Sequence, residues 1–270
     1  TRGSAFGSFF YRRLLRIIPP YYLALVVMLA TCAFPLHEAP WYFGFASNIR
    51  DSLHPVLEGP MVTMWSVAVE EQFYLLWPLL VLLAPRRALA PAFAAAIVGA
   101  VVFRLIVHAN ADAVYRLMFS RMDLLAAGGL LALFEEHLVR WRRAFAWMLS
   151  IAFSIFVLST RLRGLAIEHV QYALVCVGLT ALLALIRTCE SGPVYALLTL
   201  PAIAYIGRIS YTAYLVHDIA IERVHELGLP GAVAVALAFA LTITFATLSW
   251  YLLEVPLARL RGRVRVVPAC

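Results

Sequence analysis

The chain has 270 residues, of which 63% are hydrophobic and 14% are charged, and its mean hydropathy is +0.86. Soluble domains average about half apolar and a quarter charged residues, so this chain has too few polar side chains to cover a soluble globule. The composition excludes a soluble protein and predicts an all-α polytopic membrane bundle. All 22 basic residues are arginines in short clusters between apolar runs, which argues against nucleic-acid binding despite the net charge of +7.

Apolar runs long enough to cross a membrane define the predicted architecture. A helix needs about 20 residues to cross roughly 30 Å of hydrocarbon. The sequence shows no internal repeat and no second domain, so residues 1–270 are interpreted as a single membrane domain. In chain order it predicts about eight transmembrane helices, at 17–36, 64–84, 90–108, 121–138, 144–160, 170–187, 203–221 and 231–254.

The arginines predict the orientation in the membrane. Cytoplasmic loops of membrane proteins are enriched in Lys and Arg. Placing Arg12, Arg13 and Arg16 in the cytoplasm also places most of the other arginine clusters there, so both ends of the chain are predicted to be cytoplasmic. The longest connection, from His37 to about Thr63, then lies outside, where its aromatic residues suit the membrane interface.

Two glutamates stand inside the second apolar run. Ionisable side chains at such positions are costly, and they usually face the bundle interior and have a partner or a task. Ser66, Glu70 and Tyr74 follow an i, i+4, i+8 spacing, so they share one face of a helix. This face makes Ser66 and Glu70 candidate catalytic residues. The alternative is that Glu70 and its neighbour Glu71 are solvated among the lipid headgroups.

The seventh run contains a second polar group. Ser210, Tyr214 and His217 fall within a narrow arc of a helix, and His217 is near the predicted outer end of its span. Histidine is the side chain best suited to proton transfer near neutral pH. His217 and Tyr214 are therefore candidate site residues; the alternative for His217 is a buried neutral imidazole bonded to a neighbour.

Asp123 is the third candidate. Arg121 and Asp123 are two positions apart and do not share a helix face, so Asp123 is expected to reach another helix, where Arg104 is available. Asp123 is either a catalytic group or one half of a structural salt bridge between helices. Because the spans alternate in direction, Glu70, Arg104, Asp123 and His217 are all predicted in the outer half of the membrane, which favours an outward-facing polar cavity.

On the predicted cytoplasmic side, Arg13 and Arg16 lie one helical turn apart. Two guanidinium groups in this arrangement suit bidentate binding of phosphate. The alternative is an ordinary cluster of cytoplasmic anchoring charges.

No motif for a metal, a nucleotide or a hydrolytic nucleophile is present. The chain lacks GxSxG, P-loop, GxGxxG and HExxH patterns. The cysteines have no CxxC spacing and no histidines near them, so the sequence predicts neither a metal site nor a disulfide framework. The four are Cys32, Cys176, Cys189 and Cys270.

At these positions the chain resembles the acyltransferase 3 family of bacterial membrane acyltransferases, which includes enzymes that O-acetylate O-antigen, exopolysaccharide and Nod-factor sugars. The Trp-Ser-x-x-x-Glu-Glu-Gln-Phe-Tyr pattern in a membrane span is quite specific, whereas single Arg or His positions are not. The matching blocks are FYRRLLRIIP at 10–19, WSVAVEEQFYLLWP at 65–78, RMDLLAAGGLLA at 121–132, IGRISYTAYLVH at 206–217 and YLLEVP at 251–256.

The resemblance implies an acyl-CoA donor, acetyl-CoA or another, on the cytoplasmic side and a carbohydrate acceptor on the other side. It assigns Arg13 and Arg16 to binding of the donor and makes Ser66 and Glu70 the expected site pair. The remaining matched site residues, with less defined roles, are His217, Tyr214 and Asp123.

The resemblance also implies a difference at the N-terminus. Family members begin with two further spans, which carry an Arg and then the His usually taken as the catalytic base. Neither is in this chain, so it is expected to be an N-terminally truncated member. General base catalysis contributes about 10²–10⁴ in rate, and this piece alone is therefore expected to be inactive or nearly so.

The resulting hypothesis is transfer of an acyl group, expected to be acetyl, from acyl-CoA to a hydroxyl of a cell-surface, exported or lipid-linked glycan at the bacterial inner membrane. No permanently bound cofactor or metal is expected. The upstream His would take the acceptor proton, and Glu70, hydrogen-bonded by Ser66, would orient that His. A weaker variant gives the base role to His217.

The alternative function is a proton-coupled transporter or permease of a sugar or lipid-linked intermediate. Intramembrane Glu, Asp and His residues would suit it. Against it, the two halves of the chain show no repeat and no pair of Gly/Pro-broken helices.

Overall fold

The computed structural model describes residues 2–31, 36–54, 59, 61–162 and 164–261. Every regular element in these ranges is helical, so the all-α prediction is confirmed. The longer helices are α1 (Arg2–Thr31), α4 (Met64–Leu83), α5 (Arg86–Ile106), α7 (Met118–Leu133), α8 (Arg142–Ser159), α9 (Leu165–Arg187), α11 (Pro201–His225) and α12 (Gly231–Ser249). The shorter ones are α2 (Ala39–Phe43), α3 (Ser47–Leu53), α6 (Ala111–Arg116), α10 (Pro193–Leu198) and α13 (Val255–Arg261), with a π-helical turn at Trp250–Glu254.

Each predicted span falls on a helix, but the count of eight is not confirmed. Helix α7 has 16 residues, about 24 Å at 1.5 Å per residue, which is short of the hydrocarbon thickness. Helix α11 has 25 residues but carries several ionisable side chains that lower its hydropathy. Among the described residues, six segments are long and apolar enough to span: Gly7–Thr31, Met64–Leu83, Arg86–Ile106, Arg142–Ser159, Ile167–Arg187 and Gly231–Arg259.

The first helix differs most from its prediction. The apolar run was expected to begin at residue 17, whereas α1 begins at Arg2 and its candidate span begins at Gly7. Arg13 and Arg16 lie within this helix, one turn apart, as their spacing predicted. The physical reason for the earlier start is that apolar residues such as Phe10 and Leu14 extend the helix toward the N-terminus between the arginines.

Apolar side chains cover the outer faces of the long helices. Many large ones remain exposed, among them Val98, Phe153, Val235, Phe239 and Leu252. A soluble protein rarely exposes apolar patches of this extent. Helices with exposed apolar faces of this length fit a bilayer, whose hydrocarbon core accommodates them and which requires every backbone polar group to be bonded internally.

The helices group into two compact units. The first unit contains residues 1–50, 54–68 and 200–270, and the second contains 51–53 and 69–199. In the first unit, α11 packs on α12 and α1, and the buried core is formed by side chains that include Tyr21, Leu25, Met28, Met64 and Leu215.

The segment after α1 packs on the core of the first unit. The Tyr21 hydroxyl donates to the Tyr42 carbonyl at 2.8 Å, and the Tyr21 ring stacks on Phe45 with centroids 4.5 Å apart. Tyr42 is fully buried, so the expectation that the aromatics of this connection anchor in the membrane interface is wrong for Tyr42. Arg50 Nη2 donates a hydrogen bond of 2.9 Å to Glu38 Oε1. This hydrogen bond lowers the pKa of the Glu38 carboxyl.

In the second unit, α5 packs on α7 and α8 packs on α9. The contact between α5 and α7 is close because Gly129 faces the ring of Phe93. A Cβ atom at Gly129 would lie 2.6 Å from Phe93 Cε1, whereas one at Gly128 would meet nothing within 4 Å. Phe93 is buried and stacks on Trp77 with centroids 4.9 Å apart, so the ring has little room to move.

This contact gives a matched pair of variants. We expect Gly129→Leu to lower the unfolding temperature of the purified protein in detergent, because overpacking a filled contact costs about 1–3 kcal/mol. Gly128→Leu should leave the temperature unchanged or raise it, because leucine favours the helix more than glycine by about 1 kcal/mol. Fluorescence-detected size exclusion after heating measures both, and equal unfolding temperatures for the two variants would contradict the close α5–α7 contact.

Candidate active site

Two hydroxyl groups and a carbonyl meet in the first unit, where α4 begins. The Ser66 hydroxyl lies 2.5 Å from the Tyr214 hydroxyl of α11 and 3.0 Å from the Thr63 carbonyl, and the Tyr214 hydroxyl lies 3.2 Å from the same carbonyl. The Ser66 and Tyr214 hydroxyls have one proton each, which is too few for three hydrogen bonds at the same time. At least one of the two hydroxyls therefore donates to the Thr63 carbonyl, and the second donates either to that carbonyl or to the first hydroxyl. The structure thus brings together two of the predicted site residues, Ser66 and Tyr214.

This arrangement changes one expectation for Ser66. Its single hydroxyl proton is used by Thr63 or Tyr214, and not in the expected hydrogen bond to Glu70. The reason is local, since a serine in the first turn of a helix readily bonds to a carbonyl three residues earlier. Glu70 itself is exposed and Glu71 is half-buried, the reverse of the order of burial that the helix-face argument suggested. The catalytic role of Glu70 stays a prediction.

His217 follows Tyr214 by one turn of α11, and its ring is hydrogen-bonded through Nδ1. Its Nδ1 lies 2.6 Å from the Tyr214 carbonyl, and because a carbonyl only accepts, Nδ1 carries the proton. Its Nε2 lies 3.3 Å from the Asp218 carboxylate. About one third of the His217 side chain is exposed. An imidazole held in one tautomer, with an accessible Nε2 beside a carboxylate, is arranged to accept a proton and to have the resulting charge stabilised.

Two further carboxylates in the first unit were not chosen from the sequence. Asp218 was visible directly after His217, but adjacency in sequence does not predict that the side chains meet. Glu254 is buried in the π-helical turn and accepts a hydrogen bond of 2.8 Å from the Thr212 hydroxyl. Glu254 could have been selected from the sequence, because it is a lone carboxylate at the end of the last apolar run and lies in the matched block YLLEVP. π-helical turns occur frequently at functional sites.

Asp123 forms an ion pair with Arg104 inside the second unit. Arg104 Nη1 lies 2.8 Å from Asp123 Oδ2, and the two side chains are 1% and 4% exposed. The same nitrogen also donates to the Ser120 carbonyl at 2.5 Å. Of the two alternatives for Asp123, the structure therefore contains the salt bridge between helices, α5 to α7. The prediction that Asp123 is catalytic has no support from this geometry.

Arg13 and Arg16 lie on α1 as the sequence spacing requires. Arg16 is exposed and Arg13 is half-buried. Pro19 and Pro20 follow within the same helix, and since proline has no amide hydrogen, the carbonyls four residues earlier lose their helical donors. One residue before Arg13, the Arg12 side chain donates a hydrogen bond of 3.1 Å to the Ser8 carbonyl of the same helix. Binding of an acyl-CoA by Arg13 and Arg16 stays a prediction.

The fold and these residues define the general class of the protein. It is an integral membrane protein whose helices carry hydroxyl, imidazole and carboxylate groups within hydrogen-bond distance of one another. Among the described residues, no three His, Cys, Asp or Glu side chains are placed to hold a metal ion. Of the cysteines, Cys176 is buried and Cys189 half-buried, both as free thiols; Cys32 and Cys270 lie outside the described residues.

Comparison with known proteins identifies the family. Residues 1–254 match the acyltransferase 3 family model, described as an acyltransferase domain. The chain belongs to this family, so the resemblance noted in the sequence is confirmed, and the match favours the acyltransferase interpretation over the transporter alternative.

One relative is informative about the chemistry. A stretch of 87 residues is 34% identical to the peptidoglycan O-acetyltransferase OatA of Listeria monocytogenes serovar 1/2a. This stretch covers 26% of the chain and 14% of the length of that relative. No solved structure matches the chain.

The buried ion pair separates a structural from a catalytic role for Asp123. We expect Asp123→Asn to destabilise the protein by about 3–5 kcal/mol, because it leaves the Arg104 charge buried without its partner. The double variant Arg104→Met with Asp123→Leu should recover most of that stability, since an apolar pair removes both charges. Unfolding temperature in detergent measures the effect. A double variant that does not regain stability would contradict a purely structural role for the pair.

Proposed function

We propose that the complete protein transfers an acyl group, expected to be acetyl, from acyl-CoA to a hydroxyl of a cell-surface, exported or lipid-linked glycan. The observation that supports this most directly is the group formed by Ser66, Tyr214, His217 and Asp218 in the first unit, within a chain of an acyltransferase family. The named activity of the OatA relative, O-acetylation of peptidoglycan, makes an amino-sugar glycan the first acceptor to try.

In the proposed reaction, the acceptor oxygen attacks the carbonyl carbon of the thioester. A carbon–oxygen bond forms, the carbon–sulfur bond breaks, and the CoA thiolate leaves. The hydroxyl proton passes to a basic side chain and then to the thiolate. Negative charge develops on the carbonyl oxygen in the transition state, so a nearby hydroxyl that donates to it would stabilise the reaction. Tyr214, which is 39% exposed, is a donor of this kind.

Two histidines compete for the role of base in this proposal. His217 has Nδ1 held by the Tyr214 carbonyl and Nε2 beside Asp218, which supports it as the base. The other candidate is the histidine that the family resemblance expects upstream of Thr1, oriented by Glu70. In both versions a carboxylate stabilises the imidazolium that forms when the base accepts the proton.

Arg13 and Arg16 are proposed to bind the phosphates of acyl-CoA. Two guanidinium groups at i, i+3 on α1 match the charge and geometry of a phosphate. Under this proposal the donor is bound from the cytoplasm, both ends of the chain are cytoplasmic, and the protein is located in the inner membrane. The acceptor then approaches from the opposite side.

The full-length protein tests which histidine acts. With ¹⁴C-acetyl-CoA and a cell-envelope glycan fraction, we expect His217→Ala to reduce transfer of label by about 10²-fold or more if His217 is the base. Tyr214→Phe should reduce it less, and Glu136→Ala, at an exposed residue of the short 3-10 helix Glu135–His137, should leave it unchanged. Unaltered transfer by His217→Ala together with loss in Glu70→Ala would assign the base to the upstream histidine. If the wild-type protein labels no glycan, the proposed function is wrong.

Donor binding has its own test. We expect Arg13→Gln and Arg16→Gln in the full-length protein to raise the KM for acetyl-CoA with little change in kcat, because they remove binding that is equal in ground and transition states. Arg143→Gln, an exposed arginine at the start of α8, is the control for loss of positive charge. If Arg13→Gln and Arg16→Gln have the same KM for acetyl-CoA as the control Arg143→Gln, Arg13 and Arg16 are anchoring charges only.

A further inference from the structure

Three candidate membrane spans of the second unit have an arginine at one of their ends. The spans Arg86–Ile106 and Arg142–Ser159 begin with an arginine, and the span Ile167–Arg187 ends with one. The charged group of an arginine at the end of a span extends to the lipid headgroups, because a charge is costly in the hydrocarbon. Each of these spans therefore places a guanidinium group at a headgroup boundary.

The packing of the helices brings these three arginines to the same end of the second unit. Helices α5 and α7 are antiparallel, since Phe93 near the start of α5 lies against Gly129 near the end of α7. Helices α8 and α9 are also antiparallel, since Phe145 at the start of α8 packs on the last turns of α9. Helix α7 leads into α8 through a short 3-10 helix, whose Glu135 forms an ion pair with Arg187 at the end of α9. The starts of α5 and α8 therefore lie at the same end as the end of α9.

Positive charge predominates at this end of the second unit. Segments 84–90, 133–143 and 187–192 contain six arginines, and the only carboxylates in them are Glu135, Glu136 and Glu190. Glu135 is paired with Arg187. Within the part of the chain that the structure describes, no carboxylate forms an ion pair with the other five arginines, and all five are exposed. These five form the arginine surface: Arg86, Arg87, Arg140, Arg142 and Arg143.

The arginine surface does not stabilise the helices that carry it. Arg86 and Arg87 form the first turn of α5, and Arg142 and Arg143 begin α8. The amide groups of a first turn carry partial positive charge, so acidic residues are favourable there and arginines are not. A bound anion would interact favourably with both the guanidinium groups and the helix starts. The sequence thus places basic side chains where helix stability alone would favour acidic ones.

Apolar side chains continue from the arginine surface along α8. Trp141, directly before the helix, and Trp147 and Ile151, further along it, are all exposed. Tryptophan is enriched where membrane and water meet, because its ring is apolar and its N–H group is polar. Trp141 therefore marks the headgroup level beside the arginine surface, and the exposed side chains beyond it offer a surface for acyl chains.

These features restrict the chemistry of the partner. A guanidinium group can bind a phosphate through two parallel hydrogen bonds, whereas a Lys ammonium acts as a point charge. In phosphatidylcholine the phosphate is accompanied by a quaternary amine, which the arginines would repel. In phosphatidylglycerol it is accompanied only by neutral hydroxyls. A soluble anion has no acyl chain to cover the apolar side chains of α8. The partner that fits is an anionic phospholipid.

From these observations we propose that the arginine surface binds anionic phospholipid headgroups. Its guanidinium groups hold the lipid phosphate, and the acyl chains lie along the exposed apolar side chains of α8. Binding that stabilises the folded state raises its stability by mass action, so the second unit is more stable in a membrane that contains anionic lipid. This role concerns the second unit alone and does not depend on the proposed acyl transfer.

Native mass spectrometry tests the binding of lipid directly. The full-length protein, purified in detergent, is titrated with phosphatidylglycerol and separately with phosphatidylcholine that has the same acyl chains. We expect phosphatidylglycerol to bind more tightly. An arginine near a membrane surface contributes about fivefold to the binding of anionic lipid. Arg142→Gln should therefore weaken binding of phosphatidylglycerol by about fivefold, and the double variant Arg140→Gln with Arg142→Gln by about 25-fold.

A matched variant controls for the loss of positive charge. Arg161→Gln removes an exposed arginine beyond the opposite end of α8 and should bind phosphatidylglycerol as the wild type does. Without lipid, all variants should unfold at the temperature of the wild type, because the substituted side chains are exposed. Added phosphatidylglycerol should raise the unfolding temperature of the wild type and of Arg161→Gln, and raise that of the double variant much less.

Coenzyme A, added as a competitor, distinguishes a lipid phosphate from a soluble one. Binding of phosphatidylglycerol that persists with excess coenzyme A and falls in the double variant supports the proposal. The proposal is overturned if coenzyme A displaces the lipid, if the wild type binds both lipids equally, or if the double variant binds phosphatidylglycerol as tightly as the wild type does.

Discussion

A lipid bilayer supplies no hydrogen-bond partners, so each polar group among the apolar helices needs a partner from the chain itself. The ion pair of Arg104 and Asp123 is the clearest consequence. Both side chains are almost fully buried between α5 and α7, and neither charge would be tolerated there alone. This pair joins α5 to α7 together with the hydrogen bond from Arg104 to the Ser120 carbonyl and the steric contact of Gly129 with Phe93.

The same constraint explains why the polar groups occur in clusters. Arg104 reaches Tyr172, and Tyr172 shares Arg121 with Tyr115, so the buried ion pair continues into a cluster of stacked tyrosine and arginine side chains. In the first unit, Ser66, Tyr214 and Thr63 satisfy one another, and the Tyr214 carbonyl satisfies His217. In each cluster some polar groups bond to one another within the chain, while others, such as the Tyr214 side chain, stay accessible.

The sequence predicted the class of fold well and the site only in part. Composition and run length identify the membrane helices because hydrocarbon imposes a length and a polarity on each. The link between Asp123 and Arg104 was also accessible, since an unpaired intramembrane carboxylate demands a cation. The burial of Tyr42 could not be derived, because an aromatic residue in a loop suits the interface and a protein core equally. The meeting of Ser66 with Tyr214 was out of reach as well, since it depends on how α4 and α11 pack and not on the periodicity of either helix.

The hydrogen bonds of Ser66 and Tyr214 bear on how a membrane acyltransferase could stabilise charge at low cost. If the Tyr214 hydroxyl turned toward a developing oxyanion, the Thr63 carbonyl would still accept from Ser66, so no buried acceptor would be left without a donor. If Tyr214 were the only hydroxyl bonded to the Thr63 carbonyl, that carbonyl would lose its hydrogen bond whenever Tyr214 donated to the substrate. In the proposed mechanism Ser66 would therefore need no contact with substrate: it would keep the Thr63 carbonyl hydrogen-bonded while Tyr214 donated. In this interpretation the contribution of Ser66 to catalysis depends on Tyr214, and the two residues act as one unit.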